Sequence, residues 1–241
     1  MESKTLVLLA GGSGSRLSNY LQKPGHVKCL SEFSGLVFLN YLLRQAEFAG
    51  IEEVIVLGGP QRELIARAVE SEKYQLRFSY PVENQRLGTG GALKLVLPHL
   101  KEKKFYLMNA DTYFAENPFL LIQHYMRSVQ NDVRIQGHLF FDESNSQGKQ
   151  VHSLGQNGCV QWVDLYSTTP YIYAGVALLS EVLLKDWAAG GIQGACSFEK
   201  EFFSLYKDQI QCHVYPFRHL DFGTGEGFEN LQRLLKPKVA Q

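Results

Sequence analysis

The first half of the chain alternates between short apolar runs and longer segments in which apolar residues recur with helical spacing. Runs that are apolar almost throughout predict buried strands, and here they read KTLVLLA, EEVIVLGG, LRFSYPVE and KKFYLMNAD. The helical segment LVFLNYLLRQAEFAG ends at Gly50, and two later helices begin at Pro60 and Pro118, the second of them capped by Asn117. This alternation predicts an α/β fold, with a mostly parallel sheet and helices on both faces.

From about Asp132 the pattern changes. The runs VRIQGHLFF, QVHSLG, CVQWVDLY and YIYAGVALLS predict consecutive strands, some of them antiparallel, and helical spacing returns near 181–188, 197–207 and 225–235. No repeat, linker or low-complexity stretch divides the chain. We therefore expect a mixed sheet in a single domain, 1–241.

The composition and charge of the chain bear on which kinds of partner it can bind. The 241 residues carry 24 basic and 24 acidic side chains and are 45% apolar, which is typical of an ordinary globular protein. This balance gives no support to nucleic-acid or membrane binding. The four cysteines are scattered without a CxxC pair, and no run has the length of a signal peptide or a membrane span, so we expect a cytoplasmic protein with reduced thiols.

Ligands of doubly wound sheets bind at the carboxyl ends of the strands, which selects the segments 11–16, 83–91 and 109–112. The first, a glycine loop, lacks the GK[ST] of a P-loop and has Leu17 where a dinucleotide fingerprint needs glycine. Its glycines can still turn backbone N–H groups toward an anion, and Arg16 offers a fork of donors for phosphate. The alternative is a flexible connection with a surface arginine.

Three carboxylates are candidates for binding chemistry. Asp111 follows an apolar strand, where one carboxylate plus substrate phosphates can hold Mg²⁺, although such an aspartate more often caps a turn. Asp221 precedes a Gly-Thr-Gly turn and is either a second metal carboxylate or a turn residue. Asp221 begins an Asp-Phe-Gly triplet like that of protein kinases, but the sequence has none of the other kinase motifs. Glu83 lies just upstream of the glycines of LGTGGAL.

Taken together and in order, LAGGSGSRL, LGTGGAL, MNADTYF and DFGTGEGFENL resemble the motifs of sugar nucleotidyltransferases. The stretches ENQRLGTGGA and CSFEKEFF and the DFGT ending are most similar to guanylyltransferases that act on D-glycero-D-manno-heptose 1-phosphate or mannose 1-phosphate. The resemblance covers nearly the whole chain. It implies a Rossmann-like core, with a nucleotide half at about 1–130 and a sugar-phosphate half at about 131–241.

The resemblance also implies an activity: a sugar 1-phosphate attacks the α-phosphorus of a nucleoside triphosphate, and pyrophosphate leaves. The implied catalytic residues are Arg16, Lys28 and Asp111, and the implied Mg²⁺ ligands are Asp111 and Asp221. The implied nucleotide-binding residues are Leu9, Ala10, Gly11, Gly12, Ser13, Gly14, Arg16, Glu83, Gly88 and Thr89. The implied sugar-phosphate-binding residues are Asn109, Tyr173, Gly175, Glu199 and Lys200. A homodimer is left open.

Glu83 falls where the family contacts the base. A carboxylate only accepts hydrogen bonds, and guanine offers two adjacent donors, whereas uracil offers one donor flanked by carbonyls. We therefore expect GTP as the nucleotide. UTP or CTP with another phosphorylated acceptor, and a catalytically inactive nucleotide-binding homologue, remain alternatives.

The chain departs from the family at three places. Val27-Lys28-Cys29 replaces a proline–lysine–proline motif, Asp164-Leu165 replaces a glutamate–lysine pair, and Tyr173 replaces an asparagine. Lys200 or Arg218 is a candidate substitute for the missing lysine. The family lysine lies seven residues before a glycine and ten before an apolar helix start. Lys28 has this spacing, because Gly35 follows it by seven residues and Phe38 by ten, whereas Lys23 does not. We therefore place Lys23 on a lid-like loop that is two residues longer than usual.

Overall fold

The fold was analysed in a computed structural model, which describes residues 3–12, 14–129, 132–143, 152–154, 160–162, 171–190 and 194–236. The strands are β1 (Thr5–Leu9), β2 (Glu32–Phe33), β3 (Leu36–Val37), β4 (Glu53–Leu57), β5 (Arg77–Ser79), β6 (Lys104–Asn109), β7 (Thr112–Phe114), β8 (Gly137–Glu143), β9 (His152–Leu154), β10 (Val160–Trp162), β11 (Tyr171–Ser180), β12 (Ile210–Val214) and β13 (His219–Asp221). The helices are α1 (Ser15–Tyr20), α2 (Phe38–Phe48), α3 (Arg62–Glu70), α4 (Gly88–Leu93), α5 (Pro118–Met126), α6 (Glu181–Ala189), α7 (Phe203–Leu205) and α8 (Gly225–Leu234).

The main sheet has a parallel centre and an antiparallel flank. Its principal order is β10-β9-β11-β6-β1-β4-β5, and β8 pairs with both β11 and β12. The strands β6, β1, β4 and β5 run parallel, whereas β11 runs antiparallel to β6 and to β8. The mixed, mostly parallel sheet predicted from the strand–helix alternation is therefore confirmed.

Successive residues of a strand point to opposite sides of the sheet, and here the residues on both sides are buried. Leu6 and Leu8 of β1 pack into one apolar cluster with residues of α2, α3, α5 and α8. Val7 packs into a second cluster, defined here as the α6 face, with residues of α4, α6 and α7. Helices on both faces, the second part of the fold prediction, are confirmed as well.

One predicted helix takes a different form. The segment 197–207 is a π-helical turn, Phe198–Phe202, followed by the three-residue α7. Phe198, Phe202 and Phe203 are all buried on the α6 face. The wider π turn, with its i→i+5 hydrogen bonds, thus carries three rings that all pack on this face.

Among the described residues, no helix is both long and apolar enough to cross a bilayer. Cys29, Cys196 and Cys212 are free and buried. Cys159 lies outside the described residues.

Candidate active site

The site lies where the parallel strands end. Leu9 of β1 is in register with Leu57 of β4 and with Asn109 of β6. The sheet continues one residue further, because the Ala10 N–H donates to the Leu57 carbonyl and the Ala110 N–H donates to the Leu9 carbonyl. The segments that follow these three strands therefore leave the sheet side by side, as expected from the sequence for β1 and β6.

The glycine loop after β1 packs against a second glycine turn after β4. A Cβ on Gly11 would lie only 2.9 Å from the Gly59 nitrogen, so the two backbones touch. Gly14 has a φ of 60° and begins α1. Arg16, on the first turn of α1, is exposed, and so is Gly12. Ser13 lies outside the described residues. The turn at 58–59 was not expected from the sequence, although the strand-end rule applies to it as well.

Lys28 and Asp111 form the central ion pair of the site. Their Nζ and Oδ2 atoms are 2.6 Å apart, and the two side chains are only 18% and 25% exposed. Lys28 lies in a short 3₁₀ turn, 28–30, next to the glycine loop, since its Cγ is 3.3 Å from where a Gly14 Cβ would be. Lys23 is exposed in the preceding loop. Lys28, and not Lys23, thus reaches the carboxylate.

Asp221 is brought to the same place by the small sheet of β7 and β13. Asp221 pairs with Thr112, and the Phe222 N–H donates to the Asp111 carbonyl. The Gly223 N–H donates to the Asp221 Oδ1 at 2.7 Å. A Cβ on Gly223 would meet the Lys28 Nζ at 2.9 Å, the Asp221 Oδ1 at 3.0 Å and the Asp111 Oδ2 at 3.2 Å. Three charged groups therefore surround one glycine, and only a residue without a side chain leaves their space open.

The carboxylate pair fits a hard divalent cation. Mg²⁺ prefers oxygen ligands and usually takes one or two carboxylates, leaving its other positions to phosphates and water. Across the described part of the chain, no group of three or more His, Cys, Asp or Glu side chains is arranged for a metal. A two-carboxylate site is therefore an incomplete cage, which suits a cation that arrives with a phosphorylated ligand.

Glu83 closes its own loop. Its Oε1 accepts a hydrogen bond from the Leu87 N–H at 2.7 Å, and its Oε2 lies 3.3 Å from where a Cβ of Gly59 would be. The carboxylate therefore lies between the loop 83–87 and the turn at 58–59. Since each carboxylate oxygen has two lone pairs, this contact leaves further acceptor capacity for a base.

The start of α4, residues 87–91, is bonded to the segment 196–198, which lies more than 100 residues later in the chain. The Gly90 N–H donates to the Cys196 carbonyl, the Cys196 N–H to the Leu87 carbonyl, and the Phe198 N–H to the Thr89 hydroxyl. A Cβ on Gly88 would lie 2.4 Å from the Cys196 oxygen. Gly88 and Thr89 were expected to bind nucleotide, and in the structure they join this helix start to the segment 196–198.

The residues expected to bind the sugar phosphate fall into two groups. Asn109 and Gly175 are adjacent, because a Cβ on Gly175 would lie 3.2 Å from the Asn109 Nδ2 and 2.9 Å from the Thr112 Oγ1. Gly175 has a φ of 77° at an irregularity in the β8–β11 pairing. Tyr173 instead points into the α6 face, and its ring packs edge-on against Phe203.

Electrostatics relate Glu199 to the carboxylate pair. Burial raises the pKa of the Glu199 carboxyl above its usual range, and the charges of Asp221 and Asp111 raise it further. Burial, and then the charge of Glu199, raise the pKa of the Tyr173 phenol well above its usual value. Lys200 is exposed. Glu199 is therefore near enough to the carboxylate pair for their charges to affect it.

Of the two substitutes suggested for the missing lysine, Lys200 is exposed. Arg218 is 76% exposed and forms an ion pair with Glu116. Asp164 and Leu165 lie outside the described residues.

Comparisons with known proteins agree with the fold and the motifs. A model of the MobA-like NTP transferase domain matches residues 6–134. A D-glycero-alpha-D-manno-heptose 1-phosphate guanylyltransferase of Campylobacter jejuni is 31% identical over 232 residues, which are 92% of this chain and 96% of that protein. A guanylyltransferase of the same name from Aneurinibacillus thermoaerophilus is 29% identical over 108 residues, 45% of this chain and 46% of that protein.

Solved structures extend the match to the whole fold. HddC from Yersinia pseudotuberculosis superposes with a TM-score of 0.79 at 22% identity, over 97% of this chain and 100% of that one. The same protein has been solved in complex with GMP-PN. At this identity the likeness is one of fold.

Proposed function

Since this chain belongs to the family of MobA-like NTP transferase domains, we propose that it couples a heptose or mannose 1-phosphate to GTP, with Mg²⁺, and releases pyrophosphate. The observation that carries the proposal is the convergence of Lys28, Asp111 and Asp221 on Gly223, beside the glycine loop. The names of the two guanylyltransferase relatives and the GMP-PN complex of HddC support the choice of nucleotide and acceptor.

In the proposed reaction, an oxygen of the acceptor phosphate forms a bond to the α-phosphorus. The bond from that phosphorus to the α,β-bridging oxygen breaks, and pyrophosphate takes the electron pair. Such transfers need positioning and charge neutralisation more than covalent participation by the protein. The acceptor would lie at Asn109, Gly175 and Glu199.

Each charged residue has a role in this scheme. Backbone N–H groups of the glycine loop would hold the triphosphate, and Arg16 and Lys28 would neutralise charge that develops toward the leaving pyrophosphate. Bound Mg²⁺ would polarise phosphate oxygens as a Lewis acid, and Asp111 and Asp221 are the residues that would hold it. Glu83 would accept hydrogen bonds from guanine.

Pyrophosphate release separates this proposal from its alternatives. The protein is incubated with Mg²⁺, each of the common nucleoside triphosphates in turn, and a panel of sugar 1-phosphates. Release with GTP and a heptose or mannose 1-phosphate is the expected result. Release with UTP or CTP alone would contradict the guanylyl assignment, and nucleotide binding without release on any acceptor would favour an inactive homologue.

We further propose a cytoplasmic site of action, in keeping with the three free, buried cysteines. We also propose that residues 1–130 bind the nucleotide and residues 131–241 bind the sugar phosphate.

A further inference from the structure

Helix α1, which carries Arg16, is short and weakly held by its own sequence. It has six residues, and its N-cap residue, Gly14, has no side chain with which to cap the helix. Isolated helices of this length are unstable in water, so α1 depends on the contacts that it makes with the rest of the fold. One of these contacts is with the apolar core, through the fully buried Leu17.

A second contact is with α8. The ring of Tyr20 lies directly on Gly225, since a Cβ there would fall 2.4, 2.6 and 2.8 Å from three of its ring carbons. The Tyr20 hydroxyl donates to the Glu229 carboxylate one turn further along α8. Gly225 is the first residue of α8 and follows the turn that holds Asp221 and Gly223. Tyr20 therefore ties α1 to the turn that carries a proposed metal ligand.

Arg16 and Tyr20 are four residues apart on α1, so their side chains lie on the same face of the helix. The Tyr20 contact thus sets the direction of the Arg16 face relative to the 221–225 turn. Because Arg16 is exposed, the helix orientation decides where its guanidinium can reach.

We propose that Tyr20 is a positioning residue: by packing on Gly225 it holds α1 so that Arg16 meets the triphosphate. This role rests on the proposed function, which supplies the triphosphate. The contact also requires glycine at position 225, because any side chain there would displace the Tyr20 ring.

Binding of a non-hydrolysable GTP analogue with Mg²⁺, measured by calorimetry, tests this role independently of turnover. Arg16→Ala should weaken binding by about tenfold or more, the usual worth of a charge-assisted hydrogen bond. Tyr20→Ala and Gly225→Ala should each weaken it by about fivefold to tenfold, since they misplace the same group. Tyr20→Phe keeps the ring and should bind within about twofold of wild type, as should the matched control Asn19→Ala, an exposed residue of α1.

Two further readouts distinguish positioning from a general loss of structure. The double variant Arg16→Ala/Tyr20→Ala should bind about as weakly as Arg16→Ala alone, because residues that act through one contact are not additive. Affinity for GMP, which lacks the β- and γ-phosphates, should not change in Tyr20→Ala.

Unchanged binding by Tyr20→Ala would overturn the inference, and so would deficits that multiply in full in the double variant or a GMP affinity that falls in parallel. Wild-type protein that does not bind the analogue would instead refute the proposed function, and Tyr20 would then have no triphosphate to serve.

Discussion

Replacing Lys28 by glutamine should have two opposite effects. In the structure the ammonium group lies 2.6 Å from Asp111, inside a site where both partners are less than one third exposed. A divalent cation that binds Asp111 must break this ion pair. Lys28→Gln removes the competitor and one repelling charge, so metal binding without nucleotide should become tighter, whereas turnover should be lost.

The size of both effects can be estimated. A hydrogen bond to a charged group contributes ~1.5–3 kcal/mol net, so removing the pair should strengthen binding of Mn²⁺ by roughly tenfold or more. Mn²⁺ takes the same oxygen ligands as Mg²⁺ and can be counted by its electron paramagnetic resonance. Loss of one preorganised cation from the reacting phosphates should lower pyrophosphate release by roughly 100- to 1000-fold.

The matched control is Lys23→Gln, which removes the same charge from the exposed loop five residues earlier. It should leave both Mn²⁺ affinity and turnover within about twofold of wild type, because nothing places that charge at the carboxylates. If Lys28→Gln binds Mn²⁺ no more tightly than wild type, or turns over normally, then Lys28 neither competes with the metal nor serves the reaction.

Three further predictions concern nucleotide selection by Glu83, the turn at Gly223 and the pH dependence of stability. Glu83→Gln should lower the ratio of kcat/KM for GTP over UTP by about tenfold, and an unchanged ratio would end the argument for guanine. Gly223→Ala should lower turnover by on the order of 100-fold with a melting temperature near wild type, because the methyl group meets charged side-chain ends; full activity would show that the space is not needed. His138 and His213 share a 3.0 Å contact, and burial lowers the pKa of each to about 4. The unfolded chain therefore binds more protons between pH 6.5 and 4, and the free energy of unfolding should fall as pH drops through this window, by up to ~3 kcal/mol per histidine. His213→Phe should flatten that part of a denaturant titration, and an equally steep profile would exclude the pair as its cause.

Several features of the fold and site follow from local sequence. Uninterrupted apolar runs correctly predicted β1, β4 and β6, because a strand buried on both faces has few polar residues. The strand-end rule then placed the glycine loop and Asp111 at one edge of the sheet. Counting from Gly35 selected Lys28, and the structure places its side chain on Asp111.

Other features depend on contacts that no local pattern contains. Thr89 bonds to Phe198, 109 residues away, so its role in joining the two halves could not be deduced from LGTGGAL. Glu83 meets the 58–59 turn only once the strands are aligned. Tyr173 looked like a sugar contact by its position in a motif, yet apolar partners such as Phe203 hold its ring in the core.

The most direct test of the proposed nucleotidyl transfer follows the α-phosphorus of GTP. GTP labelled at that position is mixed with the protein, Mg²⁺ and mannose or heptose 1-phosphate. The label should appear in a nucleotide sugar, with one pyrophosphate per product, and Asp111→Asn should abolish the transfer while remaining folded. Label that stays in GTP with every acceptor, or transfer that survives in Asp111→Asn, would contradict this proposal.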